Sequence, residues 1–189
     1  NYEILSKDVG PGNCLINDWI QNHTSEKFDF EGKVANRGKI NEIILEQALE
    51  IHENNFQKKN NTSLDTNDFD ISFARGLNLE DGAATLTAFS AKIISTKINS
   101  FIKNTEKKNI KIIVCGGGRK NKSLIKQIKL YSQKNLSFYN SEDFGIDGDF
   151  IESQAFGYIA IRSILSLPIS FPSTTGCFSP CTGGEIIRF

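Results

Sequence analysis

The stretch that decides the fold is Ile110 to Asn140, IKIIVCGGGRKNKSLIKQIKLYSQKNLSFYN. It opens on a run of β-branched residues, Ile110 to Val114, suited to a pleated, half-buried strand. Three glycines follow at 116 to 118. A helix is expected from about Asn121, because Leu124, Ile125, Ile128 and Tyr131 recur at three- and four-residue steps. LSFYN, residues 136 to 140, reads as a second short strand. Strand, turn, helix and strand in that order form a β-α-β unit, the signature of an α/β layer architecture.

Working outward, the residues before this unit read as mostly helical. Leu15, Ile16, Trp19 and Ile20 share one face of a short helix. Ile40, Ile43, Ile44, Ala48 and Ile51 mark a second helix, roughly Lys39 to Phe56. Residues 23 to 38 read as polar and irregular, and 57 to 77 as a long polar connection. Asn78 is an N-cap with Asp81 three residues on, related to a capping box. The small and apolar residues from Ala83 to Ile98 predict a long buried helix. After the β-α-β unit, EDFGIDGDF is a turn-rich loop. A helix is expected from about Asp149 to Leu165, carrying Ile151, Ala155, Phe156, Ile159 and Arg162. The remainder, with three prolines and three glycines from Leu167 onward, reads as a wrapping tail. Residues 1 to 7 fit the end of a strand. No internal repeat is visible.

Composition excludes several function classes. The 189 residues carry 22 basic and 22 acidic side chains. Zero formal charge argues against a large nucleic-acid or anionic-membrane footprint. No apolar run approaches the ~20 residues of a membrane span, and no basic-then-apolar leader opens the sequence. Cys14, Cys115, Cys177 and Cys181 match no zinc spacing, and His23 and His52 are not paired with them. Four reduced thiols in a cytosolic protein is the plain expectation. Cys177 and Cys181 bracket Phe-Ser-Pro, and the sequence alone gives no reason to join them. There is no methionine, which leads us to expect that the protein's start lies upstream.

Three segments carry candidate chemistry. In DVGPGN, residues 8 to 13, Asp8 precedes Gly10-Pro11-Gly12, where the backbone can be drawn around a carboxylate. Asp8 could serve as a general base or cap the helix starting near Gly12 or Asn13. Taken in isolation, the cap is favoured. CGGGRKNKS misses the phosphate-loop pattern, with Asn121 where glycine is required, and misses the dinucleotide fingerprint, lacking its third glycine. What survives is a glycine turn before a helix N-terminus, where backbone can approach a ligand closely. A tight turn without a ligand fits equally. Glu152 lies in a first helical turn, where the dipole favours negative charge and a solvated side chain is usual. Asp147 and Asp149 face the same two readings.

Taken together, the segments resemble the anhydro-N-acetylmuramic acid kinase family. DVGPGNCLINDWI, FDFEGKVANRGKI, TSLDTNDFD, LNLEDGAATLTAFSA, VCGGGRKN, DGDFIESQAFGYIAIRS, LPISFPSTTG and a late TGG follow in family order. The resemblance implies one lobe of the two-lobed sugar kinase/actin/Hsp70 architecture. That lobe is a ribonuclease H-like (actin-like ATPase) α/β fold, with a mixed sheet flanked by helices. Nothing in residues 1 to 189 matches the family's Gly-Thr-Ser-x-Asp-Gly loop. The chain is therefore expected to be the C-terminal lobe, beginning at the interlobe hinge and inactive alone.

The implied reaction uses ATP and Mg²⁺. Water opens the 1,6-anhydro bridge of anhydro-N-acetylmuramic acid while O6 is phosphorylated, giving N-acetylmuramic acid 6-phosphate in cytoplasmic peptidoglycan recycling. Carried over, Asp8 matches the catalytic aspartate that activates water, and Glu152 and Asn13 match substrate-binding positions. Gly116, Gly117, Gly118 and Asn121 match the motif beside the nucleotide. The implied partners are the anhydro amino sugar and ATP, with no nucleic acid or membrane, and with room for a homodimer. Val9 replaces a family threonine, Thr62 and Thr66 replace cations, and Phe144 replaces a glycine or tryptophan. Val9, Thr62 and Thr66 motivate the alternative of a non-catalytic sugar- or nucleotide-sensing homologue, and a different sugar kinase of the superfamily is a third reading.

Overall fold

A computed structural model describes residues 4–58, 68–103 and 109–187. Helix α1 spans Cys14–His23, α2 Lys33–Arg37, α3 Glu42–Lys58 and α4 Leu79–Ile102. Strand β1 (Ile110–Val114), helix α5 (Lys122–Tyr131) and strand β2 (Leu136–Asn140) follow, then α6 (Ile151–Ile164) and the short α7 (Pro172–Thr175).

Helix α4 is the hub, with α1, α2, α3 and α5 all packed on it. Its sequence explains why. Every residue from Gly82 to Ala91 is buried, and most are small, so several helix axes can come close. Both threonine hydroxyls among them are satisfied within the helix, whereas the buried Ser90 hydroxyl has no hydrogen-bond partner among the described residues. Thr85 donates to the Asp81 carbonyl and Thr87 to the Ala83 carbonyl, each at 2.7 Å. The expected Asn78 cap is present, its side chain accepting from Asp81 N at 2.8 Å. Leu15, Ile16, Trp19 and Ile20 of α1 bury against α4 as their spacing predicts. The Trp19 indole donates to the Leu79 carbonyl at 2.9 Å, which satisfies its one polar group.

The β-α-β unit forms where the sequence places it. β1 and β2 pair in parallel, from Ile110 opposite Leu136 to Val114 opposite Asn140. Parallel neighbours need a crossover, and α5 supplies it. Leu124 and Ile128 bury α5 against Ala91 of α4. Asn99 of α4 holds the end of α5, donating to the Tyr131 carbonyl at 3.1 Å and accepting from Gln133 N at 3.0 Å.

Several expectations are corrected. The sheet is two-stranded and parallel among the described residues, not mixed. Residues 4 to 7 form no strand; Ile4 and Leu5 are exposed. Residues 23 to 38 are less irregular than expected. They hold a 3₁₀ turn at Phe30–Gly32 and then α2, whose five residues are too few to show a period. Helix α3 starts at Glu42 rather than Lys39, because the Asn41 side chain accepts from Ile44 N and fixes the first turn. Helix α6 starts at Ile151 rather than Asp149, because Asp147 accepts from both Asp149 N and Phe150 N in a turn. None of its residues is buried, so its apolar positions do not form the core their pattern suggested. The tail does fold back, through an antiparallel bridge between Ser170 and Cys181. Thr62 and Thr66 lie outside the described residues.

Candidate functional site

Three turns far apart in sequence meet at one place. The first is the entry to α1. Gly10 seats its backbone on Ile93 and Ile94 of α4, and Pro11 is buried. The Pro11 carbonyl then accepts from Cys14 N at 3.1 Å and opens the helix. Asn13 is the N-cap residue, yet its side chain makes no cap hydrogen bond. It reaches across the molecule instead.

The second turn is FDFEG, residues 28 to 32. Asp29 is 4% exposed. Its carboxylate accepts from Val34 N at 2.8 Å and Ala35 N at 3.0 Å, so it satisfies the free amides of α2. With Asp29 turned inward, Phe28 and Phe30 on either side are left exposed, their ring centroids 6.4 Å apart. Gly32 ends the turn at φ 72°, and a Cβ there would lie 2.4 Å from Asn121 Oδ1. Only glycine meets both conditions.

The third is the glycine turn. Gly116 has φ 71°, which only glycine adopts without strain. Gly117–Lys120 forms a 3₁₀ turn. Asn121 then does two things. Its Oδ1 accepts from Leu124 N at 3.0 Å, capping α5, and its Nδ2 donates to Asn13 Oδ1 at 3.1 Å. Asn121 is 5% exposed, so the link between residues 13 and 121 is shielded. A Cβ on Gly117 would meet nothing within 4 Å. The turn is therefore open above Gly117, beyond what packing requires.

Between these turns lies a cleft of about 620 Å³, lined by Asn13, Asn17, Phe28, Phe30, Gly117 and Asn121 with the charged residues around them. That volume falls within the usual small-molecule range. Its charges are largely engaged. Lys122 and Lys33 both pair with Glu31, at 2.5 and 3.3 Å, and Lys122 first, then Lys33, hold the Glu31 carboxyl below its ordinary range.

The floor of the glycine turn is pinned by a second network. Arg119, its side chain 8% exposed, donates to Glu142 at 2.5 Å, to Asp149 at 2.7 Å and to the Gly116 carbonyl at 2.8 Å. Lys120 adds a second bond to Asp149 at 2.6 Å. Arg119 holds the Glu142 carboxyl down at about 2, and Arg119 with Lys120 holds Asp149 at about 2. The same pairing raises the Arg119 guanidinium. Gly116 N donates to the Gly148 carbonyl at 3.0 Å, so the 141–149 loop and the glycine turn form one unit.

Of the residues singled out from sequence, Asn13, Gly117 and Asn121 come together on the cleft. Gly118 adjoins it, its Cβ position 3.8 Å from Asn13 Nδ2, and Gly116 sets the turn. Asp8 is exposed and lies five residues before the N-cap Asn13, so it does not cap α1. Glu152 is exposed in the first turn of α6. Neither carboxylate lines the cleft. Asp149 is an ion-pair partner and Asp147 a turn former. Phe28, Phe30 and Arg119 were missed. The alternation of Phe28, Asp29 and Phe30 was the available signal, since one inward carboxylate leaves its neighbours facing out. Among the described residues, no three His, Cys, Asp or Glu side chains gather as metal ligands, and no helix is long and apolar enough to cross a membrane.

Fold and cleft together define an α/β domain with a cleft of small-molecule size beside a glycine turn. The chain matches the family model described as anhydro-N-acetylmuramic acid kinase over residues 1–188. It is 48% identical over its whole length to the anhydro-N-acetylmuramic acid kinase of Pelagibacter ubique, of which it covers 50%. It is 36% identical over 97% of its length to that of Zymomonas mobilis, covering 48%. It is 37% identical over 99% of its length to that of Caulobacter vibrioides, again covering 48%. The chain belongs to the anhydro-N-acetylmuramic acid kinase family, and it spans about half the length of the curated relatives it matches.

Proposed function

We propose that this chain is the C-terminal lobe of an ATP-dependent kinase of the actin-like architecture. The kinase opens 1,6-anhydro-N-acetylmuramic acid with water and phosphorylates O6. The observation that supports this reading is the partly buried Asn13–Asn121 hydrogen bond. It ties the loop that carries Asp8 to the glycine turn, so a sugar held beside the first and a nucleotide held beside the second would share one cleft.

Each residue's part follows from its chemistry. The exposed backbone at Gly117 lets a flat or phosphate-bearing ligand approach, and the α5 N-terminus favours an anion there. Phe28 and Phe30 offer apolar ring faces to a base or a sugar. Asp8, on an anchored but exposed loop, is suited to take the proton of an attacking water, and Glu152 to orient that water or the sugar. ATP supplies the phosphoryl group. Neither carboxylate of the cleft lining is free for Mg²⁺: Asp29 is taken by two amides and Glu31 by two lysines. No residue here is assigned to the metal.

The test is product formation by the complete reading frame. ATP-dependent conversion of the anhydro sugar is expected with both halves present and none with residues 1–189 alone. Asp8→Asn in the complete protein is expected to lower kcat by about 10²- to 10⁴-fold, the usual scale of a general base. Unchanged turnover would remove Asp8 from that role. Tight sugar binding without any product from the unmutated protein would favour the sensing homologue.

A further inference from the structure

Glu31 holds a backbone conformation that its residue type resists. Its φ is 56° and its ψ 15°, in the left-handed region, where a Cβ crowds the following carbonyl oxygen. The turn dictates this. Asp29 is fixed on one side by its two amide bonds. On the other, Gly32 is seated so closely on α5 that a Cβ there would lie 2.7 Å from Ser123 N. Glycine at position 31 would meet the same demand without cost. What glutamate adds is a carboxylate shared by two lysines from different helices. Lys122, the first residue of α5, donates to Oε1 at 2.5 Å, and Lys33, the first residue of α2, lies 3.3 Å from Oε2. Stability is a weak reason for this arrangement. The lysines are 73% and 61% exposed, and ion pairs so open to solvent contribute little. A strained residue at the edge of a cleft points instead to function.

We propose that Lys122 and Lys33 form a phosphate seat on the cleft, that Glu31 fills it as an internal stand-in anion, and that the phosphates of a nucleotide displace the Glu31 side chain. The proposal rests on the nucleotide reading above. Glu31, Lys122 and Gly117 line the same cleft, so a nucleotide over the open glycine turn shares its space with this ion pair. The neighbouring cations are more firmly committed. Arg119 is held by Glu142, Asp149 and the Gly116 carbonyl, and Lys120 by the same Asp149. A phosphate brings more charge and more acceptor oxygens than a carboxylate, and hydrogen bonds between ions are the strong ones. It therefore replaces Glu31 on both lysines, and the displaced carboxylate turns to solvent. Glu31 thereby lowers the affinity for phosphate-bearing ligands and leaves that for a bare nucleoside unchanged.

Calorimetric titration of the protein from the complete reading frame, with ADP and with adenosine, tests this. Glu31→Gln is expected to tighten ADP binding several-fold, and Glu31→Gly, which suits the left-handed backbone, to do the same. Lys122→Gln is expected to weaken ADP several-fold, and the gain from Glu31→Gln to shrink in that background. Adenosine is expected to bind equally in every variant. An ADP affinity unchanged by Glu31→Gln would overturn the seat. So would an undiminished gain in Lys122→Gln, which would reduce Glu31 to general repulsion, or an equal gain for adenosine, which would show a change of cleft shape. A gain for the anhydro sugar, itself an acid, and none for ADP would assign the lysines to the sugar and overturn the phosphate seat. Each of these leaves the nucleotide reading standing. Failure of the unmutated protein to bind ADP or ATP would overturn that reading and the seat with it.

Discussion

Helices α4 and α6 are both rich in apolar and small residues, and they end in opposite environments. α4 buries an unbroken run from Gly82 to Ala91. α6 buries nothing; Phe156, Ile161 and Ile164 are all more than half exposed. Their polar residues mark the difference. In α4, Thr85 and Thr87 turn back onto their own helix and leave the surface smooth for four neighbouring helices. In α6, Arg162 reaches out to the Pro168 carbonyl and the Tyr158 hydroxyl, and ties the helix only to its own tail. Apolar periodicity reports that a helix can be buried. It does not report what buries it.

That comparison can be sharpened or broken by denaturation of variants of this chain. Leu86→Ala, at a position with 0% exposure, is expected to cost about 2–5 kcal/mol, the range for a large-to-small change in a packed core. A loss well under this range in chemical denaturation would demote α4 from its hub role. Asn121→Ala removes the α5 cap and the Asn13 bond together, and is expected to cost about 1–2 kcal/mol. Asn121→Asp, which keeps the cap acceptor and loses the donor to Asn13, isolates the tertiary bond from the cap.

Acid comes next. The Glu142 and Asp149 carboxyls are depressed from 4.5 and 3.8 to about 2. Their contribution is complete above the unfolded values and is lost as pH falls through about 2. Between those limits the 141–149 loop is expected to release the glycine turn while α4 stays protected. Amide exchange at Gly116 and Gly148, followed against pH, reads this; protection that is flat with pH would show that the ion pairs do not hold the turn. The smallest effect is expected in α6. Phe156→Ala should change stability by no more than about 0.5 kcal/mol, as for a surface position. A loss comparable to Leu86→Ala would mean that α6 is covered in solution, and the contrast between the helices would fail.

Much of the molecule was legible beforehand. β1, β2, α5 and α4 carry strong local signals: a β-branched run in β1, a short strand pattern in β2, a clear helical period and an Asn cap at 78. Helix α2 was not legible, because its stability comes from Asp29 and from packing on α4 rather than from its five residues. The aspartate loop and the glycine turn were each legible as turns with two readings. The cap reading of Asp8, favoured in isolation, already falls behind once the family motifs appear in order, and α1 beginning at Cys14 with Asn13 before it excludes it.

The sequence by itself determined the β-α-β unit, the buried long helix and the family, because each rests on local patterning or on motifs kept in order. Tertiary structure alone decided that Asn13 and Asn121 meet, that Phe28 and Phe30 face a cleft, and that Ser170 bridges to Cys181. The reason is physical. Local propensity acts over a few residues, whereas contacts spanning a hundred residues depend on how α4 orders the helices around it.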